Sequence, residues 1–546
     1  MNKEELLEEI KKLESRKSYG LVWEDKPEDV VEQCKTKIPI FSEDEKKIVE
    51  KSLEKPTNLL IEGDNYHALT VLNYTHRKSI DLIYIDPPYN TGAKDWKYNN
   101  DYVDENDSFR HSKWISMMNN RLRIAKNLLK DDGVLIATID KYENGTLLIL
   151  LAELFPTHEI ITIVIEHNPK GLPSRNFSES HEYAHFVIPK GKSVIGKNPE
   201  DKIDTRNLRR AGRASYRTDR PTMFFPIYVK DGKVVRIGQV PDVNFHPSQR
   251  SKSLDNGEIE VWPIDDKGDE RRWHFGIDSI ENHVKRIEVK ERKGDYQLYV
   301  TAVSARYKTV WTGGELDAGK YGTMLVKNIV GSEFPYPKSL FATAKCLETV
   351  IYDKENATVL DFFAGSETTG HAVALINQKY NQNHKFILCT NNEGGIAREI
   401  TYPRIKNVIE GYGNTEGIPS NLRYYKTEFV DVESVHNVSD HKKIELTYQA
   451  GRMIALREDT LTEREKNDWW QIFIDKKGRT TAIYFKEDKE KLDELVGKIS
   501  KSDSAALYIF SWGKNEYKNE FSEYKNIRVE DIPEPILEVY KEINKK

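Results

Sequence analysis

Ten residues carry the densest chemistry in this 546-residue chain: Asp81-Leu82-Ile83-Tyr84-Ile85-Asp86-Pro87-Pro88-Tyr89-Asn90. The apolar run Leu82 to Ile85 reads as a buried strand. It stops at Asp86, and two prolines then hold the backbone extended and end any further ladder. Asp86 and Tyr89 are thereby presented at the carboxyl end of a strand, where open α/β sheets bind ligands. A carboxylate there accepts hydrogen bonds from an amine, and the ring of Tyr89 offers a flat face to a planar group. The plainer reading is a strand end followed by a rigid proline turn.

A second candidate lies far downstream. Ala357 to Asp361 reads as a strand, Phe362-Phe363-Ala364-Gly365-Ser366-Glu367-Thr368-Thr369-Gly370 as a tight loop, and His371 to Asn377 as a helix. A glycine-bearing turn from strand to helix lets backbone amides approach a bound carboxylate or phosphate. The next strand, Lys385 to Thr390, leads into Asn391-Asn392-Glu393, where an acid suits a ribose hydroxyl. Glu393 is the favoured residue, with Asn391 close behind.

The elements that must position these residues alternate. Leu59 to Ile61 reads as a strand ending in Gly63-Asp64-Asn65, with a helical pattern following through Ala68, Leu69, Val71 and Leu72. With the Asp86 strand this makes a β-α-β unit, expected parallel and right-handed. Asp64 and Asp86 are then expected to end neighbouring strands on one edge. Asp64 either faces a nucleotide-like cofactor or caps the next helix. Trp114 to Leu129 is helical in pattern, Asp131-Asp132-Gly133 a turn, Val134 to Ile139 a strand and Leu147 to Phe155 a helix. The alternation predicts a doubly wound sheet.

From about residue 166 the rhythm breaks and basic residues gather: Arg206, Arg209, Arg210, Arg213, Arg217 and Arg220, then Arg271-Arg272, Lys285-Arg286 and Lys290 to Lys293, with Tyr216, Phe224, Phe225, Trp262 and Trp273 among them. The formal net charge of the chain is −5, so any nucleic-acid site must be a local patch. Arg209, Arg210, Arg213 and Arg217 are the expected phosphate contacts. The alternative is a solvated charged surface.

Other chemistries are weighed and set aside. His181-Glu182-Tyr183-Ala184-His185 is a formal His-Glu-x-x-His, the pattern of zinc proteases when it lies on a helix. Here Phe186-Val187-Ile188-Pro189 continues it as a strand, on which histidines four apart sit too far apart to share one tetrahedral zinc. No metal is expected. Gly191-Lys192-Ser193 is no phosphate-binding loop, because Phe186 stands where its first glycine belongs. Three separated cysteines, Cys34, Cys346 and Cys389, argue against a disulfide framework. The charged N-terminus, Met1-Asn2-Lys3-Glu4-Glu5, lacks the apolar core of a signal peptide, and no apolar run is long enough to cross a membrane. A cytoplasmic protein is expected.

The stretch from Asp86 to Tyr89 resembles the catalytic motif of DNA amino-methyltransferases. The loop at Phe363 and Gly365 resembles their Phe-x-Gly-x-Gly cofactor loop, with Glu367 in place of the last glycine. Catalytic motif first, basic region second and cofactor loop last is the order of the β-class enzymes. The details look closest to the modification subunit of Type III restriction–modification systems: Asp-Pro-Pro-Tyr-Asn-Thr-Gly at residues 86–92, Trp262-Pro263-Ile264-Asp265, Arg271-Arg272-Trp273 and Asp361-Phe362-Phe363-Ala364-Gly365-Ser366. The resemblance covers roughly residues 55–412.

That resemblance implies an α/β fold: a circularly permuted, Rossmann-like sheet of an S-adenosyl-methionine-dependent methyltransferase, with an inserted target-recognition region and a C-terminal α+β module. The expected divisions are an N-terminal helical arm (1–54, with an amphipathic helix over 3–16) and the first, catalytic half (55–165). The target-recognition region (166–334), the second half (335–414) and a dimerisation or partner-docking module (415–546) follow. The implied activity is methylation of adenine in double-stranded DNA, by a homodimer with a separate helicase–nuclease restriction subunit. Asp86 would accept one amino hydrogen bond, the Pro87 carbonyl the other, and Tyr89 would stack on a base swung out of the duplex. Asp64, Asn65, Lys338, Asp361, Phe363, Gly365 and Glu393 would hold the cofactor. Rival readings are a solitary adenine or cytosine-amine methyltransferase and a non-catalytic DNA-recognition subunit. Glu367 is expected to crowd the loop and repel the cofactor's carboxylate, with no positive φ required there.

Overall fold

The computed structural model describes residues 23–171, 176–196, 205–292, 294–301, 306–513, 517 and 520–545. The helix expected over residues 3–16 lies outside them, as does Lys293 of the basic stretch. The chain forms two compact units, residues 1–196 with 308–546, and residues 197–307.

The largest sheet of the first unit carries the candidate site residues of that unit. Ten of its eleven strands are β1 (Lys37–Glu43), β2 (Thr57–Glu62), β3 (Ile80–Ile85), β4 (Leu129–Ile139), β5 (His158–Ile165), β6 (Glu182–Pro189), β7 (Val310–Trp311), β8 (Thr358–Asp361), β9 (Lys385–Thr390) and β10 (Asn421–Asp431), and the eleventh, the two-residue Val49–Glu50, pairs with β10. They lie in the order β1-β10-β2-β9-β8-β3-β4-β6-β5-β7. Neighbours from β10 to β4 are parallel, and β6 runs antiparallel to both β4 and β5. The β3 strand is buried at all six positions, as a central parallel strand covered on both faces requires.

This order corrects one expectation and bears out the permutation. Asp64 and Asp86 follow strands on the same edge, but those strands are not neighbours: β8 and β9, contributed by the second half of the chain, lie between β2 and β3. Local sequence makes β2-α-β3 read as an adjacent pair, yet the gap is filled by strands nearly 300 residues later.

The flanking helices are α1 (Asn65–Thr75), α2 (Arg110–Ala125), α3 (Asn144–Leu154), α4 (Leu340–Ile351), α5 (Thr368–Tyr380) and α6 (Tyr402–Glu410). The expected turn at Asp131-Asp132-Gly133 lies inside β4, where the register with β3 shifts between Ile80 and Leu82. The described part of the arm expected to be helical holds a short helix, Asp29–Gln33, and also a strand: Lys-Ile-Pro-Ile-Phe-Ser-Glu of β1 pairs antiparallel with β10 across seven positions. Its apolar Ile38, Ile40 and Phe41 are buried in the core, a better use of these residues than an exposed helix.

The C-terminal residues form a sheet of their own, β11 (Thr462–Lys466), β12 (Trp470–Ile474), β13 (Thr480–Tyr484), β14 (Ala505–Phe510) and β15 (Ile527–Ile532), in that order. They are not a detached module. Phe473, Ile483, Tyr508, Ile536 and Leu537 share one continuous core with Leu69, Leu72 and Ile38. Tyr540 donates its hydroxyl to the Pro39 carbonyl at 2.7 Å. This cover explains why α1 is buried from Tyr66 to Thr75 rather than on one face alone.

The second unit, residues 197–307, is narrower than the expected 166–334, because β6 and β7 pair into the central sheet of the first unit. It holds a three-stranded sheet (Thr205–Asn207, Asp295–Thr301, Ile287–Arg292) and a four-stranded one (Lys233–Ile237, Ile227–Lys230, Ile259–Val261, Ser251–Ser253). Its core gathers Leu208, Phe225, Ile227, Trp273 and Leu298. The Trp273 indole donates to the Phe225 carbonyl at 2.8 Å, so this motif tryptophan builds the unit from within.

Candidate active site

The strand β3 ends at Ile85, and Asp86 emerges half-buried at its tip. Thr138 of the neighbouring β4 donates its hydroxyl to Asp86 Oδ1 at 2.8 Å. The Lys338 ammonium lies 3.2 Å from the same oxygen. Pro87 is buried, and the Pro88 carbonyl accepts from the Trp114 indole of α2 at 2.7 Å. Tyr89 lies half-buried, donates its hydroxyl to Glu182 Oε2 at 2.9 Å, and has Lys338 Nζ 4.4 Å from its ring centroid.

Asn90 closes the turn in the left-handed region, φ 56°. Its side chain donates to Glu143 Oε1 at 2.5 Å and accepts from the Trp96 indole at 3.0 Å. His111 Nδ1 lies 2.5 Å from the same Glu143 oxygen. Short polar side chains tolerate positive φ better than most, and these bonds hold the turn in that conformation.

Glu182 begins β6 and bonds both Tyr89 and Lys338. Burial, with Asp86 and Asp140 nearby, pushes its carboxyl well above the usual carboxylate range. Burial lowers the Lys338 ammonium, against the pull of Asp86. Asp86, Lys338, Glu182 and Tyr89 are therefore one bonded group. Sequence reasoning reached Glu182 through the formal His-Glu-x-x-His and through its resemblance to a His-Glu-Tyr stretch of the methyltransferase fold, and reached Lys338 as a cofactor contact. The signal for Glu182 was an acid heading the apolar strand Ala184 to Ile188. The histidines beside it diverge: His181 pairs with the Tyr183 hydroxyl at 3.1 Å, and His185 is buried against Thr162 at 3.0 Å.

The glycine loop follows β8. Asp361 ends that strand, accepting from the Thr369 hydroxyl at 2.5 Å and the Phe363 amide at 2.9 Å. Burial pushes its carboxyl up to about 7. Gly365 has φ 50°, a conformation that favours glycine. Phe363 is half-buried beside Phe362. Asn65, at the start of α1, donates to the Phe362 carbonyl at 2.9 Å and accepts from Arg121. Asp64 caps α1 through the Tyr66 amide at 2.7 Å and faces Arg121 at 3.4 Å, as the capping reading anticipates. Glu393 stands exposed past β9 and pairs with Lys97 at 2.8 Å.

Glu367 departs from expectation twice. Its φ is 73°, so the backbone does require the left-handed conformation there. Its side chain is fully buried and turns toward Arg404 rather than crowding the loop's open side. Gly370 makes room for it: a Cβ on Gly370 would meet Glu367 Oε1 at 2.1 Å. Arg404, which sequence reasoning missed, donates to the Ser366 carbonyl at 2.8 Å and to the Thr368 hydroxyl at 3.1 Å.

In the second unit the four arginines divide. Arg213 is exposed, and Arg209 and Arg210 are half-buried. Arg217 is buried and does not present itself to DNA. It pairs with Glu270 at 3.0 Å, donates to the carbonyls of Phe245 and Asp242, and lies over the Phe224 ring at 4.3 Å. An arginine so satisfied meets phosphate only by abandoning its partners.

Among the described residues, no group of three or more metal-ligating side chains comes together, and no helix is long and apolar enough to cross a membrane.

A carboxylate, two prolines and a tyrosine at one strand end, beside a glycine loop at the next, in a permuted parallel sheet, define an α/β methyltransferase. Residues 80–402 match the family model described as DNA methylase, and the chain belongs to that family. It is a DNA methyltransferase, and its methyl donor is S-adenosyl-methionine. It is 30% identical over 415 residues to the Type II methyltransferase M.KpnI of Klebsiella pneumoniae, covering 72% of this chain and 92% of that protein. It is 28% identical over 511 residues to the Type III restriction-modification enzyme EcoPI Mod subunit of Escherichia phage P1, covering 80% and 76%.

The residues at the loop fit that cofactor. Gly365 leaves the backbone open to close approach, and Glu393 carries an exposed carboxylate of the type that binds ribose hydroxyls.

Proposed function

We propose that this chain methylates the exocyclic amine of adenine in double-stranded DNA, as the modification subunit of a Type III restriction–modification system. The observation that carries the reading is the placement of Asp86 and Tyr89 on one rigid turn at the end of β3, beside β8 and its glycine loop.

An exocyclic amine is a poor nucleophile while its lone pair is conjugated with the ring. Asp86 accepts one amino hydrogen and the Pro87 carbonyl the other, which favours the lone pair's release from conjugation. Tyr89 stacks on the flipped base, worth about 1–3 kcal/mol against a flipping cost of a few kcal/mol. Gly365 and Phe363 line the cofactor's place, with Glu393 toward its ribose and Asp361, Asp64, Asn65 and Lys338 supporting it. S-adenosyl-methionine supplies an electrophilic methyl group there. Arg209, Arg210 and Arg213 meet the DNA backbone. The enzyme works as a homodimer in the cytoplasm, with a separate restriction subunit as partner.

A second reading, a solitary methyltransferase acting on adenine or cytosine, is favoured by the coverage of 92% of the Klebsiella protein. Expression in a methylation-free host, followed by single-molecule sequencing of its DNA, decides the base. Methyl groups on adenine N6 in a short asymmetric site support the proposal, and methyl groups on cytosine N4 overturn it. Recovery of the tagged chain from its native cell, with or without a helicase–nuclease protein, separates subunit from solitary enzyme.

A further inference from the structure

Methylation leaves the target nitrogen with one proton too many, and the buried group behind Asp86 offers that proton a route. Lys338 Nζ touches Asp86 Oδ1 at 3.2 Å and bonds directly to Glu182. Glu182 is only 3% exposed. Its Oε2 accepts from the Tyr89 hydroxyl at 2.9 Å, and the Lys338 ammonium lies over the Tyr89 ring. One carboxylate therefore holds both the residue that stacks on the base and the cation that touches the catalytic acid.

The geometry points to Glu182 as a positioning residue and proton acceptor for methyl transfer, receiving through Lys338 the proton that the methylated amine sheds to Asp86. The inference rests on the role proposed above for Asp86. The balance is simple. The N–H bond of the methylated nitrogen breaks and an O–H bond forms on Asp86. Lys338 gives one of its three protons to the Glu182 carboxylate and takes the one from Asp86, so its charge is unchanged. The net change is one proton moved from the product amine to Glu182, with no oxidant or further reactant.

Three features support this use over a merely structural ion pair. A buried carboxylate needs a partner, but one cation suffices, and here the cation is shared with the catalytic acid. The Tyr89 hydroxyl bond gives Glu182 a second contact with the reacting centre. Among the described residues, the titratable groups facing Glu182, Lys338 and Asp86 are Asp140, Tyr84, Tyr89, Cys346 and His167, and burial holds the His167 imidazole below its ordinary range. With Asp86 and Asp140 beside it, Glu182 readily accepts a proton. It must be ionised before the step, so the rate should rise with pH through the ionisation of Glu182, above the ordinary carboxylate range.

The test is single-turnover methyl transfer by the full chain to DNA carrying its site, over a pH series. Glu182→Gln keeps the size and the hydrogen-bonding acceptor but takes no proton. We expect its rate to fall by at least tenfold, in line with the usual yield of positioned acid–base groups. The acid limb should disappear, while cofactor and DNA affinities stay within about twofold. Glu182→Asp should recover part of the rate and the limb. Lys338→Arg keeps the charge but cannot hand on a proton at these pH values, and should lose the limb as well. A wild-type rate and pH profile in either Glu182→Gln or Lys338→Arg overturns the inference. If the Glu182 variants do not fold, Lys338→Arg decides alone. Asp86→Ala separates the two levels. If it retains methyl transfer, the Asp86 role itself falls. If it is inactive while Glu182→Gln matches wild type, only the proton route falls.

Discussion

Glu367 and Arg404 face each other beneath the glycine loop, with Arg404 Nε 3.8 Å from Glu367 Oε2 and neither side chain reaching solvent. Burial pushes the Glu367 carboxyl up, and Arg404 opposes the shift. The guanidinium also bonds the Ser366 carbonyl and the Thr368 hydroxyl. Thr401 reaches the Gly365 carbonyl at 2.7 Å from the same side. The residue in place of the family's last glycine is thus part of the scaffold that holds the loop from behind.

With burial pushing the Glu367 carboxyl up to about 8, the charged pair is complete only above that pH, where removing one partner leaves the other charge uncompensated at a cost of about 3–5 kcal/mol. Glu367→Ala should lose that much in denaturant unfolding. Glu367→Gly recovers roughly 1 kcal/mol by relaxing the left-handed backbone, and should still be less stable than wild type. Neither should bind S-adenosyl-methionine more tightly, because the carboxylate does not face the loop's open side. Calorimetry showing tenfold tighter binding in folded Glu367→Gly would restore the expectation of a competing anion.

Asp361 gives a pH dependence with a definite sign. Burial raises its carboxyl from the ordinary 3.8 to about 7 in the folded chain. The folded state then binds the proton more tightly than the unfolded state. The stabilisation is complete below pH 3.8 and is lost as pH rises through about 7. Asp361→Asn removes this dependence. The stability of wild type relative to that variant should fall by a few kcal/mol across the window, then level off. Unfolding midpoints that move in parallel from pH 4 to 8 would place the Asp361 ionisation in the ordinary range.

The basic cluster separates into surface and core. Arg213→Ala should weaken DNA binding across sequences and lower the salt slope by about one unit, with stability unchanged. Arg217→Ala should instead cost about 3 kcal/mol or more, because it leaves Glu270 to His246, takes a donor from the Phe245 and Asp242 carbonyls and opens a gap beside Phe224. A folded, equally stable Arg217→Ala protein with a reduced salt slope would return Arg217 to the DNA.

These residues also show what the sequence could reveal. The strands around Asp86 and Asp361 were legible because apolar runs ended in turn chemistry, and the permuted order followed from the motifs. What was not legible depended on contacts across long separations. No local pattern says that strands near residues 360 and 388 lie between those ending at 62 and 85. A row of arginines does not disclose which one finds Glu270. Lys338 and Glu182 are 156 residues apart, and their meeting at Asp86 is set by two separate strand and helix ends. The left-handed φ of Glu367 is hidden for a related reason: a residue other than glycine gives no local sign of it, whereas Arg404 faces the side chain and Gly370 leaves it room.

Asn90 offers the sharpest probe of how the catalytic turn is held. Its amide nitrogen donates to Glu143, its oxygen accepts from the Trp96 indole, and its backbone sits at positive φ. Asn90→Asp changes no volume and tolerates the same backbone, but replaces the donor facing Glu143 with a second carboxylate oxygen. Two carboxylates in one buried place cannot both ionise cheaply. The variant should lose roughly 3 kcal/mol at neutral pH, and its turn should release Tyr89 from Glu182. Single-turnover methylation should therefore drop, while cofactor binding at the glycine loop is retained. The loss must shrink as pH falls, because one proton shared between Glu143 and the introduced carboxylate restores the missing hydrogen bond. Thermal unfolding and single-turnover rates from pH 5 to 8 check both effects. A deficit that grows on acidification would mean that the turn is held by something other than the Asn90–Glu143 bond.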